Sequence, residues 1–394
     1  MMKQHITTTR LYKFLPLNKN IGLHILFNLF VSLFIGVMSP SPVSADTKPL
    51  KFAFFNAATP EDYWWNNASK IMQAACEDFG IELDIYYADR NQFLMVRQFQ
   101  QVANRSPRVN GAIFANMKQN IVQMLKIAEK ANIPVFVFNA GLTEKEKKIY
   151  GGPRQSFSQW IGQIVPNDEQ AGYDLAKSLF AQATKDGLTD SNGKIQVIGI
   201  SGTRSDIAAM AREKGLMKAV KEDSKVILHQ VVPAYWERDR GQAVFLGLKP
   251  RYPKLKVVWA ANDPMGLGAI DGIKKLNLVP GKDILVGSID WIPDALDAVQ
   301  KGELCVSVGG HFLESAWSVV LLYDYLSGND FSGESVEFTS SMGILTYNNI
   351  NNYNIFFEHA NWGGIDFKVF SKTTTPRAAA YNFSLDDIVK QISQ

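Results

Sequence analysis

The stretch Val257-Val258-Trp259-Ala260-Ala261-Asn262-Asp263-Pro264-Met265-Gly266-Leu267-Gly268-Ala269 decides the fold. An apolar strand-like run, Val257 to Ala261, is followed at once by a helical start. Asp263 before Pro264 reads as the helix cap, with proline at the first helical position, where its missing N–H costs nothing. Outward from this unit the same alternation recurs. Strand candidates are Leu50 to Phe55, Ile81 to Tyr87, Gly111 to Ala115, Ile133 to Phe138 and Ile161 to Val165. A second series runs Ile195 to Ser201, Val226 to Val232, Val257 to Ala261, Ile284 to Ile289 and Leu304 to Val308. Amphipathic stretches separate them, which demands parallel sheets covered by helices on both faces. The reading is an α/β protein of two doubly wound lobes. Beyond the second series, Ser315 to Leu326 reads as a helix, Val336 to Leu345 as a strand and the Asn-rich Tyr347 to Asn354 as loop. No low-complexity linker or internal repeat separates the halves, so they read as one compact body.

The composition, 46% apolar and 20% charged over 394 residues, is that of a globular chain. The first 45 residues carry Lys3, Arg10, Lys13 and Lys19 and no acid, then the apolar run Ile21 to Met38, then small residues up to Val43-Ser44-Ala45. That is the order of a secretory signal peptide cleaved after Ala45, which implies a periplasmic location. An uncleaved anchor is the alternative, since the apolar run approaches bilayer length. Loss of four bases takes the formal charge from +3 to 3 − 4 = −1, and leaves no electrostatic case for nucleic acid. Cys76 and Cys305 are too few for a disulfide scaffold. Cys76 falls on the apolar stripe of a helix, and a bridge between the two stays open. Outside the presequence only His229, His311 and His359 remain, without metal-ligand spacing, and there is no phosphate loop or Gly-x-Ser-x-Gly elbow. Neither an enzyme nor a cofactor or metal site is expected.

A parallel sheet binds ligands beyond the carboxyl ends of its strands. Asp62-Tyr63-Trp64-Trp65, Phe138-Asn139, Arg212, Trp236, Asn262-Asp263 and Asp290 all fall near such ends or in the helix that follows. Indole faces for stacking, with amides, a guanidinium and carboxylates for directional hydrogen bonds, suit a small hydroxylated molecule. Trp64 or Trp65 and Trp236 would cover opposite faces of a sugar ring, with Trp65 equally suited to the core. Asp62 is either a cap or a hydroxyl acceptor. Arg212 either pairs on the surface with Asp206 or Glu213, or offers its fork to vicinal hydroxyls or a carboxylate. Asn139, Asn262 and Asp290 supply further hydrogen bonds.

The strings Ala260 to Ala269, Val286-Gly287-Ser288-Ile289-Asp290, Ala211 to Gly215, Pro233 to Asp239 and Val135 to Asn139 occur in order. In them the chain, from about Lys51 to at least Phe331, resembles the periplasmic binding proteins of the ribose and galactose type, the substrate-binding subunits of sugar ABC transporters. The resemblance implies two lobes joined by three crossings, 49–163 with 311–341 and 164–310 with 342–394, that close over ligand by hinge bending. It implies a monomer that captures a sugar-like ligand and delivers it to an inner-membrane ABC permease. Similar co-receptors, such as those for autoinducer-2, share the Asp-Tyr-Trp run and signal to a sensor kinase instead. At the crossing where the family carries an amide, this chain reads Gly309-Gly310-His311, so His311 is either a ligand contact or a hinge histidine. Trp291 either narrows the cleft or packs beneath it. The stretch Thr143 to Gln159 and the tail after Leu345 are longer than the family pattern.

Overall fold

The computed structural model describes residues 48–353, 362–376 and 380–392, so the presequence with its expected cleavage site, and His359, lie outside the described residues. The first sheet carries β1 (Lys51–Asn56), β2 (Glu82–Tyr87), β3 (Gly111–Phe114), β4 (Val135–Phe138), β5 (Trp160–Pro166) and, on its edge, β11 (Glu337–Ser340). The second carries β6 (Ile195–Ser201), β7 (Val226–Pro233), β8 (Val257–Ala260), β9 (Leu285–Asp290), β10 (Val306–Gly309) and β12 (Gly343–Leu345). The spatial orders are β11-β5-β4-β3-β1-β2 and β12-β10-β9-β8-β6-β7. Each sheet therefore runs second, first, third, fourth, fifth. All ladders are parallel except β10 with β12. In such an order the chain reverses direction between the first and third strands, and a crevice opens there at the strand ends.

The helices between strands are α1 (Tyr63–Asp78), α2 (Gln92–Ala103), α3 (Ile121–Ala131) and α4 (Glu144–Tyr150) around the first sheet. Around the second are α5 (Asp168–Lys185), α6 (Ile207–Glu222), α7 (Arg238–Leu248), α8 (Asp263–Lys275) and α9 (Pro293–Gln300). α10 (Glu314–Leu326) follows β10 and returns to the first lobe, where it packs on α1, and α11 (Leu385–Ile392) ends the described chain. No described helix is long and apolar enough to cross a membrane.

Why the strands read as continuous apolar runs is clear in β1. Phe52 and Phe54 face one core with Ile71, Met72 and Cys76 of α1, while Ala53 and Phe55 face another with Met95 and Phe99 of α2. Both faces of the strand are covered, so alternation disappears. Each such phenylalanine contributes about 1.5–3 kcal/mol by leaving water. Cys76 is wholly buried and both cysteines are free, so there is no bridge to Cys305.

Two expectations need correction. The single strand expected over Val336 to Leu345 is two, β11 in the first sheet and β12 in the second, because the chain passes between lobes at Ser341-Met342. The tail, expected with the second lobe over 342–394, keeps to that lobe as far as Tyr353, which packs on Trp291, but from Trp362 to Phe383 it lies against the first. Trp362 bonds Asn67 of α1, the backbone N–H of Phe367 bonds Asp78, and Trp317 of α10 packs against Phe367, Phe370 and Phe383. Aromatic side chains in the tail find their dry surface on the helices of the first lobe. The buried carboxylate of Asp324 fastens this wrap by accepting from the hydroxyls of Ser371 and Tyr381 and the N–H groups of Lys372 and Thr373.

Candidate functional site

A cavity of about 780 Å³ lies between the carboxyl edges of the two sheets. Asp62, Trp64, Trp65, Asn139, Arg212, Trp236, Asn262, Asp290 and His311 all line it. So do Asp206 and Tyr235, and Arg90, Asn116, Lys118 and Arg240, which the sequence reading did not single out.

On the first lobe the loop after β1 is set by Asn56. Its buried amide donates to the carbonyl of Trp65 and the hydroxyl of Ser69 and accepts from the N–H of Ala58. This fixes the first turn of α1 and hence the Trp64-Trp65 pair. Asp62 caps α1 by accepting from the Trp65 N–H, and its other oxygen is paired with Arg90. The Trp65 ring stands edge-on to Phe138 at 6.0 Å while also lining the cavity, so it is both core and wall. Trp64 stacks on His311, with centroids 5.0 Å apart and planes inclined by 29°. Asn139 is half-buried at the end of β4 with φ +62°.

On the second lobe Arg212 is buried to 3% exposure. It comes from inside α6, at a place where α5 lies so close that a Cβ on Gly172 would be 2.1 Å from the Arg212 carbonyl oxygen. That approach puts its Nε 2.7 Å from Asp168 at the head of α5. Nη1 donates to the carbonyl of Ala261 at 2.7 Å and to Asp290 at 3.4 Å, and Nη2 lies 3.4 Å from His311 Nε2. The partners are thus Asp168 and Asp290, not Asp206 or Glu213. Most of the guanidinium's donors are taken by the protein, so the expected fork for vicinal hydroxyls reduces to what remains of Nη2.

Asn262, not Asp263, is the cap of α8, accepting from the Met265 N–H while donating to the carbonyl of Trp236. Asp263 is wholly buried one residue further on, where it accepts from the hydroxyls of Ser288 and Ser307 and the N–H of Ile292. Trp236 is half-buried, donates its indole N–H to Asp206 at 2.8 Å and lies 5.9 Å from the Arg212 guanidinium.

Burial dominates the electrostatics. It pushes the carboxyl of Asp290 well above the usual range against the pull of Arg212, and raises Asp263 to about 6. Burial works against the charge on Arg212, but Asp168 and Asp290 outweigh it and keep the guanidinium cationic. His311, buried and facing that cation, is held well below its ordinary range and is neutral. Its neighbour Glu314, buried and bonded to Ser340, is raised well above its own.

Positive φ values gather at this edge. Asn139, Tyr235, Trp236, Asp290 and Trp291 have φ of +62°, +57°, +71°, +137° and +63°. For bulky residues this conformation is costly, and such strain collects where the surrounding structure must present a side chain in one way. Strain of this kind leaves no signal in composition or periodicity. Among the described residues no group of His, Cys, Asp and Glu is placed to hold a metal ion.

The whole arrangement has relatives. Residues 52–330 match the model of the periplasmic binding protein domain. The galactofuranose-binding protein YtfQ of Escherichia coli is 28% identical over 287 residues, 71% of this chain and 82% of that protein. The D-allose-binding periplasmic protein of the same organism is 24% identical across 62% of this chain and 74% of its own length. Among solved structures, a periplasmic sugar-binding protein from Pseudomonas fluorescens superposes with TM-score 0.77 and 29% identity, over 87% of this chain and 99% of the other. A galactofuranose binding protein superposes with TM-score 0.68 at 22% identity, over 80% of this chain and all of the other, a likeness of fold. With two parallel-sheet lobes, a cleft between their edges and the domain model matched over most of its length, this chain belongs to the periplasmic binding protein family.

Proposed function

We propose that this protein captures a small uncharged sugar between its lobes and delivers it to an ABC importer. The observation that carries the reading is the cavity lined by aromatic and hydrogen-bonding side chains from both sheet edges. Its volume is in the range of small-molecule sites, about 300–1,000 Å³. Trp64 and Trp236 supply indole faces, Asn139 and Asn262 amides, and His311 and Asp290 further polar groups. The charges of the wall favour a neutral ligand over a sugar acid. Arg212 faces two carboxylates, Arg90 is paired with Asp62, and Arg240 with Glu237. Each of these three arginines is already offset, and an added carboxylate would displace an existing partner, while Lys118, also in the wall, donates to the backbone carbonyl of Arg90.

Sugar-binding relatives support the class, and their names include galactofuranose and D-allose. In this reading the presequence is removed after Ala45 and the mature chain is a periplasmic monomer. One lobe comprises 49–163 with 311–341, the other 164–310 with β12, and ligand contacting both favours the closed state. The binding proteins among the relatives support a role without catalysis.

The test is a thermal-shift screen of the mature protein against pentoses, hexoses, furanosyl sugars, polyols and uronic acids, followed by calorimetry of hits on Trp236→Ala. A neutral sugar should raise the melting temperature, and the variant should bind it about ten- to hundredfold more weakly while remaining folded. Unaltered affinity in Trp236→Ala, or a preference for uronic acids, would remove this cleft reading.

A further inference from the structure

Trp291 follows Asp290 directly and is 1% exposed. Its indole N–H donates to the carbonyl of Ser307 at 2.9 Å, which fixes the ring across β10. What the ring lies on is backbone. Gly309 of β10 and Gly343 of β12 are partners in the antiparallel ladder. A Cβ on Gly309 would stand 2.5 Å from Cγ of the indole, and one on Gly343 2.6 Å from its Cη2. The two ends of the same ring thus rest on two of the three chain segments that run between the lobes. Gly310, the next residue on the first of these, has φ +100° and would bring a Cβ to 3.3 Å from the ring.

On the same side these glycines also meet the tail. Leu385, the first residue of α11, has its Cδ2 at 3.5 Å from the Cβ positions of both Gly310 and Gly343. Tyr353 packs against Trp291 with centroids 5.4 Å apart. The tail that carries Leu385 is itself bound to the first lobe through Trp362, Phe367 and the Asp324 carboxylate.

We propose that Trp291 is the bearing on which the two lobes turn and that the C-terminal helix, through Leu385, clamps it and sets the balance between open and closed states. A hinge needs a few residues that absorb changes in φ and ψ, and glycine does so at least cost. A flat indole over bare backbone keeps an apolar contact while those angles change. The clamp matters because one end of the tail is tied to the first lobe and its helix sits on the crossings. Trp291 is also one peptide bond from Asp290, whose carboxylate meets Arg212, so a shift of the bearing is felt in the cleft. The device concerns lobe motion and does not depend on which ligand is bound.

The test needs no ligand. Paired spin labels at Lys148 on the first lobe and Lys214 on the second report the interlobe distance in the full-length mature protein, for wild type, Leu385→Ala and Gly343→Ala. Leu385 is half-buried, so its truncation leaves the fold intact. The expected result is a change of about fivefold or more in the ratio of open to closed populations in both variants. The directions differ. Leu385→Ala should broaden the distribution toward open states, and Gly343→Ala, which wedges a methyl group under the indole, should lock one spacing. Distributions that match wild type in folded variants would overturn the proposal, as would a lower melting temperature with no change in distance. Wild-type protein that shows the expected distances but binds no sugar would instead count against the cleft reading alone.

Discussion

Replacing Arg212 by alanine should unfold much of what the cleft is built on, not merely weaken binding. The side chain is 4% exposed and faces Asp168 at 2.7 Å and Asp290 at 3.4 Å. Removing it leaves two buried carboxylates without a cation and the carbonyl of Ala261 without a donor. Breaking a buried pair in this way costs about 3–5 kcal/mol, a large share of the roughly 5–15 kcal/mol that holds a typical protein folded. The cost should depend on pH. Burial already raises Asp168 and Asp290 above the unfolded value near 3.8, and without Arg212 both rise further. A carboxyl whose folded pKa lies above its unfolded one binds protons more tightly when native, so the variant regains stability as pH falls through the folded pKa. Urea unfolding at pH 8 and pH 5 measures both effects. The full penalty is expected at pH 8 and a smaller one at pH 5. A loss below about 1 kcal/mol at pH 8, or an equal loss at both, would refute the account of Arg212 as the cation that neutralises the hinge side of the cleft.

Two further outcomes test other parts of the structure. Asp324→Ala deprives the hydroxyls of Ser371 and Tyr381 and two backbone N–H groups of their acceptor, so the tail should loosen at a cost of about 2–4 kcal/mol; limited proteolysis should then cut near residue 371 first, and an uncut tail would contradict the wrap. Asp263, raised by burial to about 6, holds its proton in the native state while the unfolded chain releases it from about pH 4, so its contribution to stability falls as pH rises from about 4 to 6, by up to about 1.4 kcal/mol per unit. Asp263→Asn should remove that decline in a plot of unfolding free energy against pH, and an unchanged slope over this range would refute it.

The lobes were legible because β1 and its counterparts are covered on both faces, which makes each strand a bounded apolar run that helices must separate. The cleft positions were legible for a related reason. Trp64, Asn139, Asn262 and Asp290 follow strand ends, and in a doubly wound sheet the strand ends are where a crevice opens. Roles within the cleft were harder to read. The cap of α8 is Asn262 and not Asp263, because Asp263 finds Ser288 and Ser307, which lie 25 and 44 positions away. Arg212 meets an aspartate 44 positions before it and a histidine 99 after it, so neighbours in sequence named the wrong partners.

What the sequence alone determined was the alternation of strand and helix and the residues at the sheet edges, since both follow from local periodicity and caps. Only the tertiary structure decided which charges meet, where the tail lies and what Trp291 rests on. Those depend on surfaces contributed from distant parts of the chain, and the aromatic tail folds onto the first lobe because that is where α1 and α10 leave apolar surface to cover. The second series of strands ends beside the indole of Trp291, and three glycines with no side chain to reveal them are what let it lie there.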